Sequence, residues 1–493
     1  MPNASVSALM HAARVHVVLA TLGRLLVMMA VLSAVPALVA LSVGGSELAL
    51  RLGLTLLGLV LVGVPLARLK RVDDVQWNEA LAVTGLAFVL AAAVMVWPLT
   101  CTGIDPLGAW FEAVSGVTTT GLTTLRGTDQ AGPELLFLRA WMQWYGGLGV
   151  AVLTVALIMR HHASARRLLE TTGETLTHAG AREHARLVFL VYGALTLVAV
   201  TAAWLSGLEP FSALVHALAA VATGGFAASD ANIAPLPTAS IAVLSLVCVA
   251  AAISLPLYAS LVRRGPREML AAPEVRALFA AILITAILLA GLDLATRVTV
   301  DGWSGDLWPT LGNSFALAVS SQTDTGFSTV DVAALSPSAQ VVLMVSMTIG
   351  GCTGSTAGGI KLIRLLILIR LIQVALRRTA ASERAVIDVR IGGDRLEERM
   401  LTGALQLLGL WAIVLLVGWI AFLLYDHPPL ASLFEVVSAT ANAGLSSGLT
   451  APELESPLKL VLTACMLFGR VEVLAMLVLL YPPTWIGRRR AAS

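Results

Sequence analysis

Residues 115–124 read SGVTTTGLTT, and three later stretches repeat this arrangement of small and hydroxylated residues around one glycine. They read AVATGGFAAS at 220–229, SSQTDTGFSTVD at 320–331 and SATANAGLSSG at 438–448. In every copy a glycine precedes a bulky apolar residue, and the copies recur at roughly one-hundred-residue intervals. A motif repeated at a nearly fixed period predicts one structural unit used four times.

The composition is typical of a polytopic membrane protein, with 57% hydrophobic residues, 13% charged residues and a mean hydropathy of +0.86. A helix needs ~20 apolar residues to span a bilayer. Ten candidate spans lie at about 16–43, 50–67, 79–98, 136–159, 187–206, 238–262, 277–294, 339–376, 401–424 and 457–481. We therefore predict an all-α polytopic membrane protein.

Each Thr/Gly cluster follows a short apolar stretch, such as WFEAVS at 110–115 and LFEVVS at 433–438. These stretches are too short to cross a bilayer, and irregular backbone at membrane depth must line a cavity or be buried in protein. Each repeat is therefore predicted to be helix, pore half-helix, glycine turn and helix, arranged around one pore. The predicted units are an N-terminal helix pair at 1–75 and pore repeats at 76–172, 173–270, 271–385 and 386–493.

The basic residues predict the orientation of the chain in the membrane. Lys and Arg concentrate in alternate loops, at 68–71, 160–186, 263–276 and 361–399, and at 488–490. By the positive-inside rule these segments are cytoplasmic. Both termini are then expected to be cytoplasmic, and all four Thr/Gly clusters face outward.

The clusters suit a dehydrated cation. Backbone carbonyls can replace the water around a cation without a fixed charge that would trap it. Glycine allows the backbone angles that turn carbonyls inward, and the C-terminal end of each half-helix favours a positive charge. The candidate ion-binding residues are Thr118, Thr119, Thr120, Gly121, Ala222, Thr223, Gly224, Gly225, Thr323, Asp324, Thr325, Gly326, Ala441, Asn442, Ala443 and Gly444.

The eighth apolar segment is too long for one span, since about 37 residues would form a helix of ~55 Å. Its middle reads GGCTGSTAGGIK at 350–361, which predicts a broken helix with a flexible intramembrane loop at 350–359. Close helix packing through Gly350 and Gly354 is the alternative. With Arg470, the candidate gate residues are Gly350, Gly351, Gly354, Ser355, Thr356, Gly358 and Gly359.

Arg470 lies within the apolar segment LKLVLTACMLFGRVEVLAMLVLL at 458–480. A cation inside a membrane is costly and marks a functional site by default. Glu472 is two residues away, on another helix face, and is not expected to pair with Arg470. We predict that Arg470 faces the pore beneath the glycine turns. A structural arginine satisfied by helix carbonyls or by a buried partner is the alternative.

The chain resembles the Trk/Ktr/HKT superfamily of cation transporters, and the bacterial TrkH/TrkG branch in particular. The four turns TTTGL, ATGGF, TDTGF and NAGLS carry the resemblance, together with GGCTGSTAGGIK, WYGGLGV at 144–150 and FGRVEVLAMLVLLYPPTW at 468–485. The resemblance implies a potassium-selective pathway in the bacterial inner membrane, with potassium at the four filter glycines. It implies a homodimer and a cytosolic TrkA-type regulatory subunit that binds the nucleotide, and it implies no cofactor in this chain.

Several alternatives remain open from the sequence. Asp324 stands where the third filter turn of the family often has threonine, so a sodium-permeable pathway or a sodium- or proton-coupled symporter is the main alternative. A transporter with a closed midplane site would show repeats of opposite orientation, whereas these four share one. An enzyme would need a nucleophile and base or a metal cluster in the membrane, and only isolated histidines occur there.

Overall fold

The computed structural model describes residues 12–69, 75–161, 178–296, 307–380, 388–392, 394–396 and 398–486. Its helices are α1 Val15–Ser42, α2 Ser46–Ala67, α3 Trp77–Leu99, α4 Pro106–Val117, α5 Pro133–His161, α6 His178–Leu205, α7 Pro210–Val221, α8 Thr238–Ala252, α9 Leu257–Arg264, α10 Pro266–Ala271, α11 Pro273–Thr296, α12 Leu307–Thr323, α13 Pro337–Ile349, α14 Leu362–Ala380, α15 Glu398–Leu423, α16 Pro429–Ala441, α17 Ser456–Arg470 and α18 Val473–Leu480. A short antiparallel hairpin joins β1 Arg390–Ile391 to β2 Asp394–Arg395. Several basic residues used to predict orientation, including those at 70–71 and 488–490, lie outside the described residues.

The molecule is a multi-pass membrane protein. Within the described residues, six helices are long and apolar enough to cross a membrane, or seven if the bent pair α17 and α18 counts as one span. In the N-terminal pair, a Cβ placed on Gly63 would lie 3.0 Å from the carbonyl oxygen of Gly23. The small residues therefore let α1 and α2 approach closely, as is common between membrane helices.

The predicted half-helices are α4, α7, α12 and α16. Three of them begin with proline, at Pro106, Pro210 and Pro429, which suits the first turn because its N–H groups have no partner within the helix. Asp105 also caps α4 by accepting hydrogen bonds from the backbone N–H groups of Leu107 and Gly108. The last turn of each half-helix is buried, so all four end inside the protein rather than crossing it.

Two predicted spans are wrong in the structure because their helices break. The sixth, predicted at 238–262, ends at Ala252 and resumes at Leu257. The tenth, predicted at 457–481, ends at Arg470, and α18 leaves at an angle of 111°. The eighth breaks as predicted, between Ile349 and Leu362. The helix after the glycine turn is thus interrupted in three repeats, while α5 of the first repeat is continuous.

Candidate ion pathway

The four predicted filter glycines form a closed ring. Their φ angles are positive, at 89° for Gly121, 73° for Gly225, 83° for Gly326 and 82° for Gly444. A Cβ placed on any of them would collide with a carbonyl oxygen of the next repeat. In order, these oxygens belong to Gly224, Thr325, Ala443 and, closing the ring on the first repeat, Thr120. The four turns therefore surround a common axis in chain order, which we call the glycine ring.

The backbone of the four turns is equivalent residue by residue. Two positions before each glycine the φ angle is also positive, at 53° for Thr119, 50° for Thr223, 53° for Asp324 and 57° for Asn442. The residue between donates its backbone N–H to a carbonyl in the last turn of the half-helix, at 2.8–2.9 Å in all four repeats. Non-glycine residues rarely adopt this conformation. The same conformation occurs in all four repeats, so the half-helix and the following turn form one repeated structural unit.

All the threonine side chains predicted to bind the ion, except that of Thr119, form hydrogen bonds with protein atoms. Thr118 Oγ1 donates to the carbonyl oxygen of Val114 at 2.7 Å, and Thr323 Oγ1 donates to that of Val319 at 2.7 Å. Each of these hydroxyls also lies 2.7 Å from the hydroxyl two residues later, at Thr120 and Thr325. These hydroxyls therefore brace the turns, which leaves the main-chain carbonyls as the oxygens best suited to face an ion.

The predicted intramembrane loop lies against the ends of the half-helices. Gly359 donates its N–H to the carbonyl oxygen of Ala441, the last residue of α16, at 2.9 Å. Thr356 Oγ1 donates to the carbonyl oxygen of Val221, the last residue of α7, at 3.1 Å. From α12, Gln322 Nε2 donates to the carbonyl oxygen of Gly350 at 2.7 Å. The loop therefore contacts three of the four half-helices on one side of the glycine ring.

Hydrogen bonds to the second repeat and to Glu274 on α11 hold this loop in place, and the bonds to the second repeat coincide with the break after α8. Cys352 donates its N–H to the carbonyl oxygen of Ala252 at 3.0 Å, and Leu255 donates to that of Gly354 at 3.0 Å. Glu274 accepts a hydrogen bond from the Thr353 N–H at 2.6 Å. Gly350 and Gly354 both have positive φ and lie outside any helix. The alternative of helix packing through these glycines is therefore wrong.

Arg470 is the last residue of α17 rather than the middle of a straight span. Its side chain is buried, and Nη1 donates to the carbonyl oxygen of Thr356, within the loop, at 2.9 Å. Nε and Nη2 make no hydrogen bond among the described residues. Glu472, as expected from its spacing, turns elsewhere and forms an ion pair of 2.5 Å with Arg364. Arg470 therefore contacts the loop through one hydrogen bond, and its Nε and Nη2 donors have no partner among the described residues.

A cavity of about 1040 Å³ lies on the loop side of the ring. Its wall includes Asn442 next to the ring, Gly358 of the loop, Lys361 just after the loop, and Arg470. One water occupies about 30 Å³ in the liquid, so the volume suffices for a hydrated ion. The loop and Arg470 therefore lie between the glycine ring and a cavity large enough to serve as a vestibule.

A family model described as TrkH, a cation transport protein, matches residues 92–291 and 310–483, which include all four glycine turns. The chain belongs to the TrkH family. The Trk system potassium uptake protein TrkH of Escherichia coli K12 is 32% identical over 391 residues, covering 76% of this chain and 79% of that protein. A protein of the same name from Halomonas elongata is 29% identical over 407 residues, covering 79% and 82%.

The crystal structure of the potassium transporter TrkH from Vibrio parahaemolyticus matches with a TM-score of 0.84 at 27% identity, covering 96% of this chain and all of that one. The predicted superfamily resemblance and the all-α fold are therefore confirmed.

The TrkH-family turns are braced by side chains that the sequence did not single out. Gln143 on α5 donates its amide to the carbonyl oxygen of Gly224 and accepts the N–H of Phe226 at 3.1 Å. Asn232 does the same for the third turn, by donating to the carbonyl oxygen of Gly326 at 3.1 Å and accepting the N–H of Ser328 at 3.2 Å. Only their amide side chains, which both donate and accept, could have signalled this role.

Buried carboxylates hold the chain as it leaves the first and fourth turns. Glu112 on α4 accepts hydrogen bonds from the Thr123 hydroxyl at 2.7 Å and the Thr124 N–H at 2.8 Å. Glu435, at the same position of α16, accepts equivalent bonds from residues 446 and 447. Arg139 balances Glu112 at 3.4 Å and stacks over the ring of Phe226 at 4.0 Å, which links the first two repeats.

On the side of the glycine ring away from the half-helices, Asp230 joins the loops that follow the first two turns. It accepts hydrogen bonds from the Gly127 N–H at 2.8 Å and from the N–H and hydroxyl of Thr128 at 2.9 and 2.6 Å. Burial acts to raise the pKa of Asp230, but these hydrogen bonds outweigh it and the net pKa is lowered. The carboxylate therefore stays ionised at neutral pH and keeps the loops together at this end of the ring.

Proposed function

We propose that this chain is the pore subunit of a potassium uptake system in the bacterial cytoplasmic membrane. The observation that carries the proposal is the closed glycine ring, in which each turn abuts a carbonyl of the next repeat. Relatives named as potassium uptake proteins, and a potassium transporter of the same fold, support potassium as the ion. Both termini are cytoplasmic in this proposal, and the glycine ring opens to the outside.

The mechanism follows from the ring geometry. Main-chain carbonyls within residues 118–121, 222–225, 323–326 and 441–444 replace the water of a potassium ion, since glycine and left-handed backbone turn carbonyls toward the axis. The carbonyls of Ala222, Gly224, Gly326 and Ala441 accept hydrogen bonds from the protein and are left out of this role. The four half-helices end at the ring, so their negative dipole ends favour a cation there. Buried threonine, glutamine and asparagine side chains hold the turns at a fixed spacing.

The gate in this proposal is the loop at 350–359 together with Arg470. The loop covers the half-helix ends, and Arg470 holds it through the carbonyl of Thr356. A fixed guanidinium charge beside a poorly hydrated path raises the barrier to a passing cation. Movement of the loop away from the half-helices would release this bond and join the ring to the cavity.

Flux in proteoliposomes tests the function. Purified protein should carry potassium and rubidium much faster than sodium, and a pH gradient alone should not drive the uptake. Equal sodium and potassium flux would favour the sodium-permeable alternative. Potassium uptake that requires a proton or sodium gradient would instead identify a coupled symporter.

Deleting residues 354–357 is expected to raise basal potassium flux by about tenfold or more, because the deletion removes the bridge between Arg470 and the half-helices. Thr356→Val is the matched milder change. It keeps the side-chain size and the Arg470 contact but loses the hydroxyl bonds to Val221 and Ala251. Its flux should rise less. A folded deletion variant with unchanged or lower flux would show that the loop serves packing alone.

Regulation in this proposal comes from another chain, a cytosolic nucleotide-binding subunit of the TrkA type, docked on a homodimer of this one. Purification from the native membrane without harsh washing should recover such a subunit. Nucleotide should change flux only in its presence. A nucleotide response from this chain alone, reconstituted pure, would contradict the two-component assignment.

A further inference from the structure

Asp324 is the acidic member of the four equivalent left-handed positions in the turns. It is fully buried, and neither carboxylate oxygen makes a hydrogen bond among the described residues. At the equivalent position of the fourth repeat, the Asn442 amide donates to Thr120 Oγ1 and to the carbonyl oxygen of Met466, both at 2.9 Å. The left-handed backbone suits aspartate as it suits asparagine, but that preference does not explain why the carboxylate is buried without a hydrogen-bond partner, which is costly.

The Asp324 carboxylate points toward the intramembrane loop. A Cβ placed on Gly350 would lie 2.9 Å from Oδ2 of Asp324, and it would also collide with the carbonyl oxygen of Gly358. The Asp324 carboxylate oxygen and the Gly358 carbonyl oxygen both lie within 2.9 Å of this one position, so they are neighbours where the loop approaches the third turn. Carboxylate and carbonyl oxygens are the ligands that hard cations prefer.

Two basic side chains act on this position from the loop side. Lys361 and Arg470 both lie close enough to Asp324 to interact with its charge. Each is bonded elsewhere, Lys361 to the carbonyl oxygen of Ala357 and Arg470 to that of Thr356. Their charges lower the electrostatic attraction of the site for a cation without occupying its oxygens.

We propose that the Asp324 carboxylate and the Gly358 carbonyl form a monovalent-cation site between the glycine ring and the loop. Lys361 and Arg470 set how tightly the site holds an ion. The inference rests on the proposed pore function and extends it, since it assigns the step between the filter and the vestibule. An ion that leaves the ring meets Asp324, and loop movement that withdraws Lys361 strengthens the site.

Anomalous diffraction from crystals of the full chain soaked in thallium(I) tests the site directly. A peak beside Asp324 in the parent or in Lys361→Gln, lost in Asp324→Asn while peaks in the ring remain, supports the proposal. Peaks confined to the ring, or a peak that survives Asp324→Asn, would overturn it. Asparagine suits this backbone, because Asn442 adopts the same conformation one repeat later.

Rubidium flux gives a second readout. Removing the carboxylate should raise the half-saturating rubidium concentration by at least about tenfold, because the cation loses a charged ligand at contact distance in a partly dry site. Lys361→Gln should lower that concentration. Asp331→Asn, which removes a carboxylate from the outer surface, is the matched control and should leave it unchanged.

Two further results would separate the alternatives. An unchanged half-saturating concentration in Asp324→Asn, or a loss of folded protein that Lys361→Gln restores, would overturn the site and make Asp324 a structural counter-charge. Failure of the parent protein to carry rubidium at all would instead contradict the proposed function, and the thallium peaks would still decide the site.

Discussion

Replacing Gly121 by serine is expected to reduce the preference for potassium over sodium by about tenfold or more. The φ angle of 89° costs a non-glycine residue roughly 1–2 kcal/mol. The added Cβ would also collide with the carbonyl oxygen of Gly224, which belongs to the next turn. Relief of that collision must move a carbonyl out of the ring, and the hydroxyl adds a competing ligand. Bi-ionic flux in proteoliposomes measures the change.

Gly103→Ser is the matched control for Gly121→Ser. Gly103 has a similar φ of 82°, but a Cβ there has no heavy atom within 4 Å. The control therefore carries the backbone strain without the collision and should keep its selectivity. Serine at Gly225, Gly326 or Gly444 should act as it does at Gly121, because each Cβ meets a neighbouring carbonyl. Unchanged selectivity in all four single variants would falsify the filter assignment.

The repeated Thr/Gly clusters made the pore architecture predictable because each copy carries its own local signal. Half-helices, turns and the broken eighth segment all follow from short apolar stretches and glycine placed within one region of sequence. The side-chain contacts that brace the turns could not be predicted, because the residues they join are far apart in the sequence. Gln143 braces Gly224 across 81 residues, and Asn232 braces Gly326 across 94. No local pattern specifies which amide will meet which turn.

The helix breaks show a second limit of local reasoning. The sixth and tenth predicted spans cross residues 253–256 and 471–472 because apolar residues flank both, although Pro256 and Glu472 lie at the breaks. A proline disfavours helix in the residue before it, so Pro256 is a local signal for the first break that hydropathy does not register. The first break is stabilised from outside, since Ala252 and Leu255 exchange hydrogen bonds with the loop of the third repeat. At the second break Glu472 has a φ of 64° and pairs with Arg364. Tertiary partners therefore stabilise breaks that a hydropathy average alone does not reveal.

Arg470→Ala is expected to raise potassium flux by roughly thirtyfold and to weaken control by the partner subunit. At an effective dielectric constant of about 20, a unit charge ~8 Å from a passing cation raises its barrier by about 2 kcal/mol. The substitution also removes the bond to Thr356 that holds the loop. Both effects act in the same direction. Arg470→Lys keeps the charge but loses the planar fork, so its flux should lie between those of the parent and the alanine variant.

Lys459→Ala provides the comparison that separates gating from structure. Lys459 lies on the same helix, is also buried, and donates to one carbonyl oxygen, that of Pro452 at 2.8 Å. Lys459→Ala removes a cation that is as deeply buried as Arg470 but lies near the opposite end of α17, away from the loop. Flux per folded molecule should therefore stay unchanged. The decisive measurement is flux normalised to monodisperse protein for all three variants. A well-folded Arg470→Ala protein with flux at or below that of the parent would show that Arg470 does not gate, whereas poor folding in that variant alone would identify a structural arginine.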